Sequence, residues 1–122
     1  MRFNLFSILL AFAVNLTWAQ PYNITKFGAK GGENDDTKAI QKAIDKAAEK
    51  GGGTVYFPTG IFTSGTVFLK SNVTIYLEKG ATWQGLTRLD AYPFIEPRVV
   101  TRMDLVARRA MVYANQQHNI AI

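Results

Sequence analysis

Apolar side chains recur at two different periods along this chain, and the change of period marks where a helix gives way to strands. Between Thr37 and Lys50, Ala39, Ile40, Ala43, Ile44, Ala47 and Ala48 return every three or four residues, while Lys38, Lys42, Lys46 and Glu49 point elsewhere. This predicts an amphipathic helix from about Asp36 to Lys50 with one apolar face made of small side chains. Asp35 or Asp36 is its natural N-cap, because a short carboxylate can accept from the free N–H groups of the first turn. Gly51-Gly52-Gly53 ends it, since glycine admits backbone conformations closed to other residues. The period then drops to two: Val55 and Phe57 share one face of a strand, Thr54 and Tyr56 the other, and Pro58 with Gly60 closes it.

More short strands follow. Ile61-Phe62-Thr63 and Thr66-Val67-Phe68-Leu69 are separated by Ser64-Gly65, and Lys70-Ser71-Asn72 forms a turn. Val73-Thr74-Ile75-Tyr76-Leu77 comes next with Val73, Ile75 and Leu77 inward, and Gly80 to Gln84 continues the path. Val55 and Val73 are eighteen positions apart, close to one coil of a β-solenoid, in which short repeats stack their inward residues into one core. Upstream, Tyr22 to Ala29 alternates apolar and polar residues and predicts an opening strand with Ile24 on the face of Tyr22, followed by a loop over Lys30 to Asn34. Gly85 to Arg109 breaks the pattern with Pro93, Pro97 and five arginines, and reads as a lateral excursion with one helical turn near Arg102 to Ala107. Strands resume at Ala110 to Ala114 and at Asn119 to Ile122. A helix of this kind is suited to lie across the open end of such a coil and cover its unpaired edge.

The residues that carry this pattern also carry a resemblance. Asp-Asp-Thr-x-Ala-Ile-Gln running into Gly-Gly-Gly-Thr-Val-Tyr-Phe-Pro-x-Gly, then Ser-Gly-Thr-Val-x-Leu-Lys-Ser-Asn-Val-Thr-x-x-Leu-x-x-Gly-Ala-Thr, resembles the start of the pectin-degrading β-helix superfamily. It is most similar to the glycoside hydrolase family 28 polygalacturonases, over about Tyr22 to Gln84 and again from Ala110 to Ile122. The resemblance implies an all-β solenoid: the N-terminal coils of a right-handed single-stranded parallel β-helix, with one N-terminal capping α-helix. It implies hydrolysis of α-1,4-galacturonosyl links in pectin, by an inverting mechanism in which two separated carboxylates leave room for the attacking water. The expected partner is an acidic plant polysaccharide: pectin, homogalacturonan or rhamnogalacturonan. Rival expectations on the same solenoid are a polysaccharide lyase or epimerase, and a non-catalytic carbohydrate-binding module.

Composition narrows the setting. The chain has 122 residues, a formal net charge of +5 and no cysteine, so packing rather than crosslinks must hold it together. Its first nineteen residues read as a secretory signal peptide: Arg2, an apolar run from Leu5 to Val14 broken only by Ser7, and the small Ala19 at the cut. That run is short of the ~20 residues a membrane-spanning helix needs, so no membrane attachment is expected after cleavage, and the product is secreted or periplasmic. Residues 20–122 are then the cap and first coils of the β-helix domain, incomplete at the C-terminus. Lysines and arginines are spread along the whole length, which argues against nucleic acid.

The four catalytic motifs of the resembled family are Asn-x-Asp, an Asp-Asp pair, Gly-His-Gly and Arg-x-Lys, and none has a counterpart here in its proper context. Asp35-Asp36 spells one, but stands at the start of the helix. No catalytic, cofactor-binding or metal-ligating residue is therefore assigned, no cofactor is expected, and the catalytic centre is expected beyond Ile122. His118 is the lone histidine and sits among turn-forming Asn115-Gln116-Gln117 and Asn119. Arg98 and Arg102 are candidates for the wall of a substrate cleft, because a guanidinium grips a sugar carboxylate in bidentate fashion and galacturonate presents one per residue. Trp83, Tyr92 and Phe94 could stack on sugar rings, or fill a core or seal a loop base. Asn23-Ile24-Thr25 and Asn72-Val73-Thr74 match the glycan acceptor pattern.

Overall fold

The computed structural model describes residues 20–96 and 108–122. Its regular elements are β1 (Tyr22–Asn23), α1 (Thr37–Glu49), β2 (Gly53–Phe57), β3 (Gly60–Ser64), β4 (Val67–Phe68), β5 (Val73–Leu77), β6 (Ala81–Gly85) and β7 (Val112–Tyr113), with 3₁₀ turns at Ile24–Phe27 and Leu89–Ala91. Among the described residues the strands form three sheets, ordered β1-β2-β5, β3-β6 and β4-β7, and every pairing is parallel. From β2 onward the chain visits the three sheets in turn, then visits them again in the same order. Each strand lands beside its predecessor one rung earlier. The next rung begins at Ala121, which pairs with Thr74 and accepts from the N–H of Ile75 at 2.9 Å.

The register corrects the expected repeat. Val55 faces Ile75, twenty residues on, while Val73 faces Gly53, because the strand begins at Gly53 rather than where the alternation becomes visible. In the second sheet Gly60 faces Ala81, twenty-one residues on. In the third, Val67 faces Val112, forty-five residues on, so the excursion occupies the path between β6 and β7 without disturbing the stacking on either side. The helical turn expected near Arg102 to Ala107 lies outside the described residues.

Inward positions meet in one core. Val55, Phe57, Val67, Val73 and Ile75 are buried, with Phe62 edge-on to Phe57 at 5.9 Å between ring centroids. Ile24, Ile40 and Ile44 are fully buried with them, so the apolar face of α1 packs into the same core; burial of a side chain of this size stabilises by about 1.5–3 kcal/mol.

Two local expectations give way to hydrogen bonding. The opening strand stops after Asn23, whose Oδ1 accepts from the N–H of Thr25 at 3.0 Å and its hydroxyl at 2.7 Å, turning Ile24–Phe27 into a 3₁₀ turn that drops Ile24 into the core. At the start of α1, Asp36 holds the N-cap position, but its carboxylate reaches backward, accepting from the N–H groups of Lys30 and Gly31 at 2.8 Å each. It is Asp35 that accepts from the N–H of Thr37, at 3.1 Å. The two aspartates thus divide the work between loop and helix. At the other end, Gly52 has φ 120°, and a Cβ there would lie 2.5 Å from the carbonyl oxygen of Asn72, which explains glycine at that point.

Candidate functional site

The outer face of the second sheet carries a groove about 310 Å³ in volume, lined by Glu33, Thr63, Gln84, Gly85, Leu86 and Thr87. Its floor follows from strand alternation. Phe62 and Trp83 are paired and point inward, so their neighbours Thr63 and Gln84, also paired, point outward. Gln84 Nε2 donates to Thr63 Oγ1 at 2.9 Å, and Thr63 Oγ1 donates to the carbonyl of Gly32 at 2.6 Å, tying two rungs to the loop before α1. Sequence reading missed these residues, since Glu33, Thr63 and Gln84 stand far apart along the chain. The twenty-one-residue register of the second sheet sets Gln84 beside Thr63, and the bonds of Gly32 to Ile61 and Thr63, with the Asp35–Thr63 bridge, bring the loop that carries Glu33 to them.

The excursion builds one flank. Arg88 reaches back to Asp35 at 2.7 Å and also holds Asp90 at 2.6 Å. The Asp90 carboxylate, followed by that of Asp35, raises the Arg88 pKa above its ordinary value. Tyr92 donates its hydroxyl hydrogen to the carbonyl of Leu86 at 2.8 Å, and the N–H of Thr66 donates to Ala91 at 3.1 Å, seating the Leu89–Ala91 turn on the corner between β3 and β4. Gly65 lies under that turn, where a side chain would strike Ala91. Arg109 donates to the carbonyls of Leu89 and Tyr92 at 2.7 and 2.6 Å, and its guanidinium lies 4.1 Å from the centroid of the Phe94 ring. Of the aromatic candidates, then, Tyr92 seals the loop base and Phe94 carries an arginine on its ring. Trp83 packs on Phe57 at 4.9 Å and donates to Ser64 Oγ at 2.8 Å, which makes it a wall of the core. The proposed cleft-wall residues Arg98 and Arg102 lie outside the described residues.

Chemically, the groove offers an amide, hydroxyls and the single carboxylate of Glu33, a set that can hydrogen-bond a hydroxylated ligand. It does not hold the two separated carboxylates that an inverting hydrolysis requires. The described aspartates are already engaged: Asp35 with Thr37 and Arg88, Asp36 with the Lys30–Gly31 backbone, Asp45 with Lys70 and Gln41, Asp90 with Arg88. Hydrogen bonds from Thr37, with Arg88 beside them, outweigh partial burial and hold the Asp35 carboxyl below its ordinary 3.8. Among the described residues no three His, Cys, Asp or Glu side chains come together as a metal site would require. His118 is exposed in a turn beside Ser71, its Nδ1 3.2 Å from Ser71 Oγ and its N–H donating to the same oxygen at 3.0 Å. The glycan acceptor positions are likewise turn builders: Asn23 caps the 3₁₀ turn, and Asn72 accepts from Asn119 Nδ2 at 3.0 Å.

These features agree with what the chain is similar to. Residues 22–87, more than half of the chain, match the family model described as rhamnogalacturonase A/epimerase, pectate lyase-like. The chain belongs to that family, and is a polygalacturonase-like protein of the pectin lyase-like fold. It is 44% identical over 72 residues to an exo-poly-alpha-D-galacturonosidase of Dickeya chrysanthemi, a match covering 58% of this chain and 12% of the relative. It is 51% identical over 63 residues to alginate lyase 7 of Azotobacter vinelandii, covering 44% of this chain and 7% of the relative. The family 28 exopolygalacturonase of Yersinia enterocolitica superposes with a TM-score of 0.69 at 32% identity, over 84% of this chain and 19% of that one. The chain therefore spans about an eighth or less of these two curated relatives.

Proposed function

We propose that this chain forms the capped N-terminal coils of a secreted or periplasmic glycoside hydrolase, built as a right-handed parallel β-helix, that cleaves α-1,4-galacturonosyl links in pectin. Residues 1–19 serve as its signal peptide, and α1 is the cap over the first rung. The two carboxylates of the inverting displacement belong to coils stacked on the rung that begins at Ala121, and the groove beside Thr63 and Gln84 extends the surface along which the polysaccharide lies. The observation that carries this reading is the extent of the structural likeness: the family 28 exopolygalacturonase superposes over 84% of this chain with a TM-score of 0.69, whereas the A-module of the Azotobacter vinelandii mannuronan C-5 epimerase AlgE6 superposes over 53% with a TM-score of 0.50. A lyase or epimerase is the second reading, supported by the 51% identity to alginate lyase 7.

Product chemistry separates the two. Hydrolysis adds water across the glycosidic bond and leaves saturated sugars at both new ends; elimination leaves a ring double bond that absorbs in the ultraviolet. A chain extended through the downstream coils, incubated with polygalacturonate, should release reducing ends with no rise in ultraviolet absorbance. A parallel rise in absorbance would replace the hydrolase by the lyase.

A further inference from the structure

The groove beside Thr63 and Gln84 contains a carboxylate on a pinned loop. Glu33 follows Gly32, whose N–H donates to the Ile61 carbonyl at 2.7 Å and whose carbonyl accepts from Thr63 Oγ1 at 2.6 Å. Three residues on, the N–H of Asp36 donates to the Thr63 carbonyl at 2.9 Å, while the buried Asp36 carboxylate clasps the N–H groups of Lys30 and Gly31. The backbone at Glu33 is thus tied to β3 on both sides. Its exposed carboxylate, however, has no hydrogen-bond or ion-pair partner among the described residues, and no cation is among the residues that line the groove. Arg88, on the flank, is engaged by two carboxylates, Asp35 at 2.7 Å and Asp90 at 2.6 Å. The floor is equally one-sided: Thr63 gives its hydroxyl hydrogen to Gly32 and receives one from Gln84 Nε2, which leaves Gln84 Oε1 as an acceptor without a donor among the described residues.

We propose that this groove is a subsite for an uncharged sugar, at which Glu33 discriminates against a free uronate. A ligand entering here must bring hydrogen-bond donors. The hydroxyl groups of a neutral sugar, or of a galacturonate whose carboxyl is methyl-esterified, donate to the Glu33 carboxylate and to Gln84 Oε1. An ionised uronate brings a second negative charge instead, and the lining offers no ammonium or guanidinium to receive it. An unpaired charge set against the wrong ligand is a means of specificity as effective as an added contact to the right one. The subsite rests on the reading of this chain as part of a polysaccharide-acting protein, and it reverses the charge preference expected of a wall built for polygalacturonate.

The test is a titration of the isotope-labelled chain, followed by NMR, with oligogalacturonides and with the same oligomers fully methyl-esterified. The esterified oligomers should shift the amides of Glu33, Thr63, Gln84 and Thr87. The free acid should bind about tenfold more weakly, the effect of setting one carboxylate a few ångströms from another at a protein surface. Added salt should narrow that gap by screening the repulsion. Glu33→Gln, at an exposed position whose side chain holds nothing in place, should close most of the gap, and Glu33→Lys should make the free acid the better ligand. Equal binding of acid and ester by the parent chain, a gap unchanged in Glu33→Gln, or no shift at these amides with either oligomer would overturn the proposal. The titration involves no turnover, so a hydrolase reading that fails leaves the discrimination standing. Reducing-end release by the extended chain, together with equal binding of acid and ester, would overturn the subsite alone.

Discussion

Gln41 forms two hydrogen bonds to the backbone of Phe68: its Oε1 accepts from the Phe68 N–H at 2.8 Å, and its Nε2 donates to the Phe68 carbonyl at 3.0 Å. A side-chain amide here replaces the backbone amide of a neighbouring strand. The first two sheets have earlier partners, β1 beside β2 and Asp35 beside Thr63, but among the described residues β4 has none on that side. Three residues one turn apart on α1 fill the place. Thr37 accepts from Gly65 N–H at 2.8 Å, Gln41 pairs Phe68, and Asp45 holds Lys70. That side of the β4 segment is thereby satisfied without a strand.

Gln41→Leu keeps the helical propensity and the stem but leaves both Phe68 groups unpaired. The expected loss is about 1–3 kcal/mol, moderated by the partial exposure of this edge. Urea denaturation followed by circular dichroism measures it. A variant with unchanged midpoint would show that water replaces the amide at no cost.

Ile44, on the inner face of α1, is fully buried. Ile44→Asp places a carboxylate against the coil end, a change expected to cost several kcal/mol and to leave the protein insoluble or unfolded unless the helix lifts away. Size-exclusion chromatography and thermal melting report it. Lys42→Asp, on the exposed face, is the matched control and should melt close to the parent.

Gly52 and Gly32 separate strain from collision. Both have positive φ, 120° and 67°, but a Cβ at Gly32 meets nothing within 4 Å, while at Gly52 it strikes Asn72. Gly32→Ala should cost about 1–2 kcal/mol, the penalty of a left-handed backbone. Gly52→Ala should cost clearly more in the same denaturation experiment.

Acid should weaken the protein through Asp35 and Asp45. At Asp45 burial works to raise the carboxyl, but hydrogen bonds from Lys70 and Gln41, with the Lys70 charge, outweigh it and leave the value below 3.8; Asp35 is lowered by Thr37 and Arg88. A depressed folded-state pKa means that the stabilisation is fully present above the unfolded value and is lost as pH falls through the folded one. Melting temperature should therefore decline below about pH 3.8, and the decline should be shallower in Asp35→Asn.

How far the sequence could be read depended on whether a residue's role was local. The period of Ala39, Ile40, Ala43 and Ile44 predicted α1 and its buried face, and the alternation of Val55 and Phe57 predicted β2, because helices and strands expose their periodicity directly. Tyr22 to Ala29 misled for the same reason: alternation suggested a strand, while the Asn23 side chain captured Thr25 and ended it. The N-cap pair was recognised, but its division of labour was not, since Asp36 turns to Lys30 and Gly31 rather than into the helix. Register and the groove were beyond reach. Val55 opposite Ile75, Thr63 beneath Gln84 and Gln41 beside Phe68 are relations between segments far apart in the chain, and nothing within one segment announces which residue its neighbour will bring.

The most direct measurement of the central claim, that these coils scaffold a polygalacturonase-type enzyme without holding its catalytic carboxylates, is the rate of reducing-end release from polygalacturonate. It should be taken for the chain ending at Ile122, for a chain extended through the downstream coils, and for the extended chain carrying Asp35→Asn. The account predicts no release by the first, turnover by the second, and an equal rate in the third, because Asp35 serves Thr37 and Arg88 rather than a reacting sugar. Turnover by the chain ending at Ile122, or its abolition by Asp35→Asn in a folded extended enzyme, would contradict the account and place the catalytic centre within these first coils.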